Sequence, residues 1–290
     1  MTGCDQTRLE IGYIADPETQ EEAERLRIQG RYLDQHLGLL PKELPDLATV
    51  GHDFQVLDIG CSSGGWACEV ANRYRHIKMT GIDISQNMIR AAKARVIANH
   101  LPHATFDVMD ATSYPLAFPD ASFDVIHARL ICAFMQTTLW PELIQECYRL
   151  LRPGGYLCSV EGDAQCWSTS PALAHFYQIG HLALYQNGNS WEKEGIGLVV
   201  RLPALMKQAG FEVFPMETQR IDLGYGTEGY KIGVKDYKIL LRDIIPFCIK
   251  TGVATKEQLD RLYAETLQEI AQPDFNAYWL FSRVLGRRPA

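Results

Sequence analysis

The segment Val56-Leu57-Asp58-Ile59-Gly60-Cys61-Ser62-Ser63-Gly64-Gly65-Trp66 constrains this chain more than any other. Val56 to Ile59 read as a buried strand, apolar around one acid. A run of small residues follows, then a helical pattern through Ala67, Val70 and Ala71. Strand, small-residue turn and helix together make a cradle of nucleotide type. Gly60 and Gly64 let the backbone turn sharply and approach a ligand where a Cβ would intrude. The helix N-terminus aims N–H groups into the same crevice. A second strand, Met79-Thr80-Gly81-Ile82-Asp83-Ile84, puts an acid 19 residues beyond Gly64. At that distance a carboxylate on the tip of the neighbouring strand meets ribose hydroxyls. The cradle is expected to bind a nucleoside.

Three readings of the turn compete. The dinucleotide fingerprint wants glycine at its first, third and sixth positions, here Gly60, Ser62 and Gly65, so the glycine that admits a pyrophosphate is missing. Gly60-Cys61-Ser62-Ser63-Gly64 also has the form of a hydrolase nucleophile elbow. Such an elbow normally follows several strands, and upstream of residue 55 the patterns are helical. Third, the stretch resembles motif I of class I S-adenosylmethionine-dependent methyltransferases, Asp-x-Gly-x-Gly-x-Gly. Here it reads Asp58-Ile59-Gly60-Cys61-Ser62-Ser63-Gly64, with Ser62 replacing the middle glycine.

Downstream features favour the third reading. Asp110-Ala111, after the third strand, falls where the family's acid meets the adenine amino group. Phe118-Pro119-Asp120-Ala121-Ser122-Phe123-Asp124-Val125-Ile126 resembles the family's run into strand four. Glu146-Cys147-Tyr148-Arg149-Leu150-Leu151-Arg152-Pro153-Gly154-Gly155-Tyr156-Leu157 resembles its approach to strand five, where Pro153 stops the helix and Gly154-Gly155 turn the chain. Four such pieces in order, over roughly residues 54–160, identify the chain as resembling that family. The resemblance implies a Rossmann-like α/β fold: a seven-stranded sheet with its last strand antiparallel, helices on both faces, and a helical substrate cap.

The pattern along the chain agrees with alternating strands and helices. A helix is expected from Pro17 to about Leu40, with Asp16-Pro17-Glu18 as its start signal. Residues 1–50 read as a helical segment covering the cofactor site, and residues 51–290 as the methyltransferase domain. Strands are expected at 54–59, 78–83, 104–109, 123–128, 155–160, 210–218 and 275–285. Helices are expected at 65–75, 85–99 (Ser85 as N-cap), 141–151, from Pro171 onward, 201–209, 234–251 and 256–271. The stretches 163–190 and 226–272 exceed what the minimal fold needs and read as cap insertions, since long connections usually carry function.

Composition narrows the partners. The net charge of −7 argues against nucleic acid and other polyanions. No apolar run is long enough to span a membrane, and the N-terminus lacks a basic region followed by an apolar one. A cytoplasmic protein is expected. The 8 cysteines show no Cys-x-x-Cys spacing, so reduced buried thiols and no metal site are expected.

By resemblance, S-adenosylmethionine would be held by Gly60, Cys61 and Gly64 (close approach), Asp83 (ribose), Ile84 and Met88 (flanking adenine), and Asp110 with Ala111 (adenine amino group). Asp58, Ala128 and Arg129 would lie near the methionine end. Tyr13 and Gln29 belong to the segment that closes over the cofactor in relatives, and Glu24-Arg25-Leu26-x-x-Gln29 resembles some of them. S-Adenosylhomocysteine would be the product. His127, at the tip of strand four, and Glu161 with Asp163, just past strand five, are candidates for proton transfer. Each has a bland alternative: a hydrogen-bonded structural histidine, and solvated loop acids. Phe134, Tyr177, His181 and Tyr185 are candidates for substrate contact. The last three fall at i, i+4 and i+8 on one helix, which either roofs a pocket or packs onto the sheet. The expected activity is methylation of a small, fairly apolar metabolite, quinone-like or secondary. The rivals are a cofactor-dependent cyclase or rearrangement enzyme and a regulatory binding protein. Acceptor atom and oligomeric state stay open.

Overall fold

The computed structural model describes residues 19–51, 53–163 and 167–290. Tyr13 and the Asp16-Pro17-Glu18 start signal lie outside these residues. The first described element is α1 (Gln20–Leu37), capped by the Thr19 hydroxyl accepting the Glu22 N–H. The alternating region then runs β1 (Gln55–Ile59), α2 (Gly65–Arg73), β2 (Lys78–Asp83), α3 (Gln86–Ala98), β3 (Ala104–Val108), β4 (Phe123–Arg129), α4 (Trp140–Leu150) and β5 (Leu151–Gly162). Beyond it come β6 (Trp167–Ser168), α5 (Pro171–Gln186), α6 (Leu202–Gln208), β7 (Glu212–Val213), β8 (Glu217–Asp222), α7 (Glu228–Lys250), α8 (Lys256–Glu269) and β9 (Ala277–Arg287).

The sheet runs β3-β2-β1-β4-β5-β9-β6, with β7 and β8 also on β9. β1 through β5 pair in parallel, and every pairing of β9 is antiparallel. The strand order reverses between β1 and β4, which opens a crevice at their C-terminal ends. Alternation along the strands feeds two cores. Leu57, Ile59, Ile82, Ile126 and Ala128 face one side. Val56, Met79, Phe106 and Val125 face α2 and α3 on the other. Period-2 burial on both faces is what a covered parallel sheet requires.

The described residues hold nine strands rather than seven. The expected strand six is split because Pro215 supplies no ladder N–H, leaving β7 and β8 on either side. The additional strand β6 pairs only with Tyr278 and Ala277. β5 also starts earlier than expected. Leu151 already pairs with Phe123, and the register then shifts until Tyr156 meets Val125, so Arg152–Gly155 form a bulge. Helix α4 ends at Leu150 for the same reason.

Gly81 shows how tightly β2 packs. A Cβ there would lie 2.4 Å from the ring of Phe106, which is 1% exposed. Gly81→Ala is therefore expected to lower unfolding stability by about 1–3 kcal/mol through overpacking. Urea unfolding would measure it, and a neutral result would mean that Phe106 can move aside.

Candidate functional site

The turn after β1 is held by its own backbone. Gly60 and Gly64 have φ of 66° and 71°, and Ser62 has φ of 50°. The Cys61 N–H donates to the Ile82 carbonyl at 2.9 Å, tying the turn to β2. Asp83, buried at the tip of β2, accepts the Ser62 N–H on one oxygen and the Ser85 N–H on the other, both at 2.9 Å. Ser85 in turn caps α3 by accepting the Met88 N–H. One carboxylate thus fixes the geometry of the turn and of the next helix start. Burial keeps the Cys61 thiol far above its ordinary pKa, so it stays neutral.

Two adjoining cavities meet this crevice. The larger, about 600 Å³, runs along the Gly60–Trp66 turn and beneath α1, and Asp58, Gly60, Cys61, His127 and Arg129 line it. The smaller, about 340 Å³, is mainly apolar, with Trp167, Tyr177, Trp279 and Phe281 in its wall. Leu26, Gln29 and Leu130 line both and form the partition.

In the larger cavity, His127 and Asp58 are register partners on β4 and β1. The His127 Nδ1 lies 2.8 Å from the Asp58 carboxylate. A carboxylate only accepts, so Nδ1 carries the hydrogen. Burial lowers the His127 pKa below its ordinary value, outweighing the upward pull of Asp58. The ring is therefore neutral, with Nε2 as its bare nitrogen. Its face stacks on Trp66 with centroids 3.7 Å apart and planes 11° apart. Asp58→Asn removes the largest upward contribution, so the pKa is expected to fall further. NMR titration of the ring protons checks this, and the idea fails if the His127 resonances shift upward in the variant.

The candidates from sequence fall into separate groups. Asp58, Gly60, Cys61, His127, Arg129, Gln29 and Phe134 come together around the larger cavity. Phe134 sits against the turn, its ring 3.5 Å from where a Gly60 Cβ would be, so it belongs to this cavity and not to the apolar one. Ala128 is buried within β4 beside it. Gly64, Asp83, Ile84, Met88, Asp110 and Ala111 do not line this cavity. Gly64 packs on Ala92 and Phe106, and the others cluster at or just beyond the tips of β2 and β3. There Asp110 accepts hydrogen bonds from Thr112 and Ser113.

Glu161 does not meet the expectation of a catalytic contact. It is fully buried, lines neither cavity, and accepts the N–H groups of Ile131 and Cys132 at 3.2 and 3.3 Å. Burial raises its pKa to about 8, so at neutral pH it already holds a proton and cannot act as a base. Its neighbour Asp163 is the one that reaches the apolar cavity.

The helical stripe also separates. Tyr177 lines the apolar cavity, His181 is buried edge-on to Tyr177, and Tyr185 is 40% exposed beneath Lys193. Eight residues at 3.6 per turn overshoot two full turns by about 80°, enough to carry the last member off the face. The substrate expectation for Tyr185 is therefore corrected, and His181 serves packing.

Sequence reasoning left unexplained the cluster at the partition. Arg25 donates to both oxygens of Glu22 and, at 2.8 Å, to Asp236 of α7, and Gln29 Nε2 donates to Asp236 at 3.3 Å. Asp236 interrupts the buried stripe of Gly233, Tyr237 and Leu241, and an acid on such a stripe is a readable signal. Among the described residues, no group of three or more His, Cys, Asp or Glu side chains is placed to hold a metal ion. No helix among them is long and apolar enough to cross a membrane.

Comparison with known proteins agrees with this geometry. A family described as "Methyltransferase domain" matches residues 56–155. The O-methyltransferase cnsE of Penicillium expansum is 26% identical over 234 residues, covering 78% of this chain and 74% of that protein. The secondary metabolism regulator LAE1 of Cochliobolus heterostrophus is 31% identical over 112 residues, covering 38% of this chain. The chain spans about a third of the length of that regulator. In structure, the chain resembles phosphoethanolamine N-methyltransferase 2 of Haemonchus contortus, solved with phosphomonomethylethanolamine and S-adenosylhomocysteine. The TM-score is 0.56 at 21% identity, covering 94% of this chain and 59% of that one. Strand order and the glycine turn at the switch point agree with the methyltransferase domain that residues 56–155 match.

Proposed function

We propose that this protein transfers a methyl group from S-adenosylmethionine to an oxygen of a small, fairly apolar molecule. The observation that carries the reading is the pair of adjoining cavities: one polar and built on the glycine turn, one apolar and aromatic, separated only by Leu26, Gln29 and Leu130. The residues present fit the cofactor. Gly60 turns at positive φ on the wall of the larger cavity, and a Cβ there would lie 3.0 Å from Ile131, closer than an ordinary contact. Oxygen as acceptor is supported by the cnsE relative and by the O-methyltransferase resE of Aspergillus sclerotiorum, 26% identical over 211 residues. Matches of that length must include segments that line the apolar cavity.

The cofactor supplies an activated methyl on a sulfonium. Asp58 and His127 hold β1 and β4 in register beneath the turn, and the neutral ring adds no positive charge against that sulfonium. Asp83, at the tip of β2, and Asp110, two residues beyond β3, stand on the side where the nucleoside would lie. The described part of the N-terminal segment, residues 19–50, acts as a cover. Helix α1 roofs both cavities, and Arg129 is tied to it by Asp34 at 2.6 Å. The described residues of the cap segments 163–190 and 226–272 close the apolar cavity with Tyr177, Asp236 and Leu240. Such closure excludes water and fixes the acceptor in line with the methyl. A net charge of −7 supports a small-molecule rather than a nucleic-acid partner.

Calorimetric titration with S-adenosylmethionine and, separately, NAD tests the cofactor site. Saturable binding of the first alone is expected, followed by formation of S-adenosylhomocysteine when hydroxylated aromatic compounds are added. Binding of NAD instead, or of neither, would overturn the reading.

A further inference from the structure

We propose that Asp163 is the acceptor that anchors a hydroxyl group of an aromatic molecule in the apolar cavity. This rests on the acceptor role assigned to that cavity above. Asp163 stands immediately beyond β5, at the same end of the sheet as the glycine turn, and lines the cavity. Its carbonyl accepts the Ile196 N–H at 3.3 Å, which holds the backbone in place. Yet its Oδ1 is buried and meets no hydrogen-bond donor among the described residues. The other charged and amide groups around the cavity, and its Thr218–Ser282 pair, are engaged with one another. Arg25 spans Glu22 and Asp236, Gln29 donates to Asp236, and Thr218 pairs with Ser282 at 2.8 Å.

A buried carboxylate oxygen without a donor is costly, and a ligand in the cavity that Asp163 lines removes that cost if it brings a donor within reach of the carboxylate. The rest of the wall specifies the body of the ligand. Trp167, Tyr177, Trp279 and Phe281 present aromatic surface that suits a flat ring system. A ring bearing one hydroxyl matches both demands.

Three probes read this directly: 2-naphthol, 2-methoxynaphthalene and naphthalene, each titrated by calorimetry into the full chain without cofactor. Wild type is expected to bind 2-naphthol about tenfold more tightly than either donorless probe, the effect of one hydrogen bond to a charged group. Asp163→Leu is expected to bind all three alike. Asp163→Asn keeps an oxygen acceptor and is expected to retain part of the preference. Tyr177→Ala should weaken all three together, since it removes wall and not anchor. No hydroxyl preference in wild type, or a full preference surviving in Asp163→Leu, overturns the proposal. The wild-type comparison needs no variant, so a variant that fails to fold leaves the test intact. A preference for 2-naphthol together with silence towards S-adenosylmethionine would sink the methyl-transfer reading and leave this one standing.

Discussion

Arg25→Met is expected to destabilise the folded protein by about 3–5 kcal/mol, the cost of stranding buried charges whose partner has gone. The guanidinium is 8% exposed and its two carboxylates, Glu22 and Asp236, are 2% and 4% exposed. Burial pushes the Asp236 pKa upward against the pull of Arg25, a sign of how poorly the site tolerates the bare carboxylate. The same cluster joins α1 to α7, so its loss is also expected to loosen the roof over both cavities. Urea unfolding measures the first effect, and protection of α1 amides from hydrogen exchange measures the second. A triple variant, Glu22→Gln, Arg25→Met and Asp236→Leu, removes all three charges together and should recover most of the stability. If Arg25→Met alone stays within about 1 kcal/mol of wild type, the cluster is not a clamp and solvent reaches it.

The contrast between this cluster and the glycine turn shows what sequence carries. The β1 turn was readable because its constraints are local: two glycines at positive φ, an acid within the strand, a helix opening at once. The Ser85 cap and the strands through β4 are local in the same way. The Arg25–Asp236 contact joins residues 211 apart, and no local pattern specifies which acid an arginine will meet. Trp66 on His127 is similar, because a stack across α2 and β4 depends on how the two elements pack. The stripe of Tyr177, His181 and Tyr185 was legible as a helix face, and its function was not, since an 80° drift decides which member reaches the cavity. Glu161 and Asp163 were inseparable as sequence. Two positions apart beyond a strand pattern, both read as candidates for proton transfer, with solvated loop acids as the alternative. In the fold, Glu161 still lies within β5 and its carboxyl is buried against the Ile131 and Cys132 N–H groups, while Asp163 stands just past the strand end and lines the apolar cavity.

That burial gives Glu161 the second large expected effect, on the pH dependence of stability. Its pKa rises from 4.5 in the unfolded chain to about 8 in the native state, because the fully buried carboxyl is desolvated and the two backbone N–H groups only partly offset this. Between those values the native state holds a proton that the unfolded chain has released. Its contribution is thus fully present below pH 4.5 and declines as pH rises, at about 1.4 kcal/mol per pH unit, until the native group ionises near 8. Asp236, also raised, acts in the same direction from a lower pH, whereas His127, lowered, acts oppositely below about 6.5. Glu161→Gln stays neutral throughout and leaves those two groups in place, so the difference between wild type and variant isolates Glu161. Urea unfolding of both proteins at pH 5 and pH 8 is expected to show wild type losing several kcal/mol relative to the variant over that interval. A constant difference would mean that Glu161 ionises in the native state as it does in the unfolded chain. The carboxylate would then be charged beneath Ile131 and Cys132 at neutral pH, and its exclusion as a proton acceptor would have to be withdrawn.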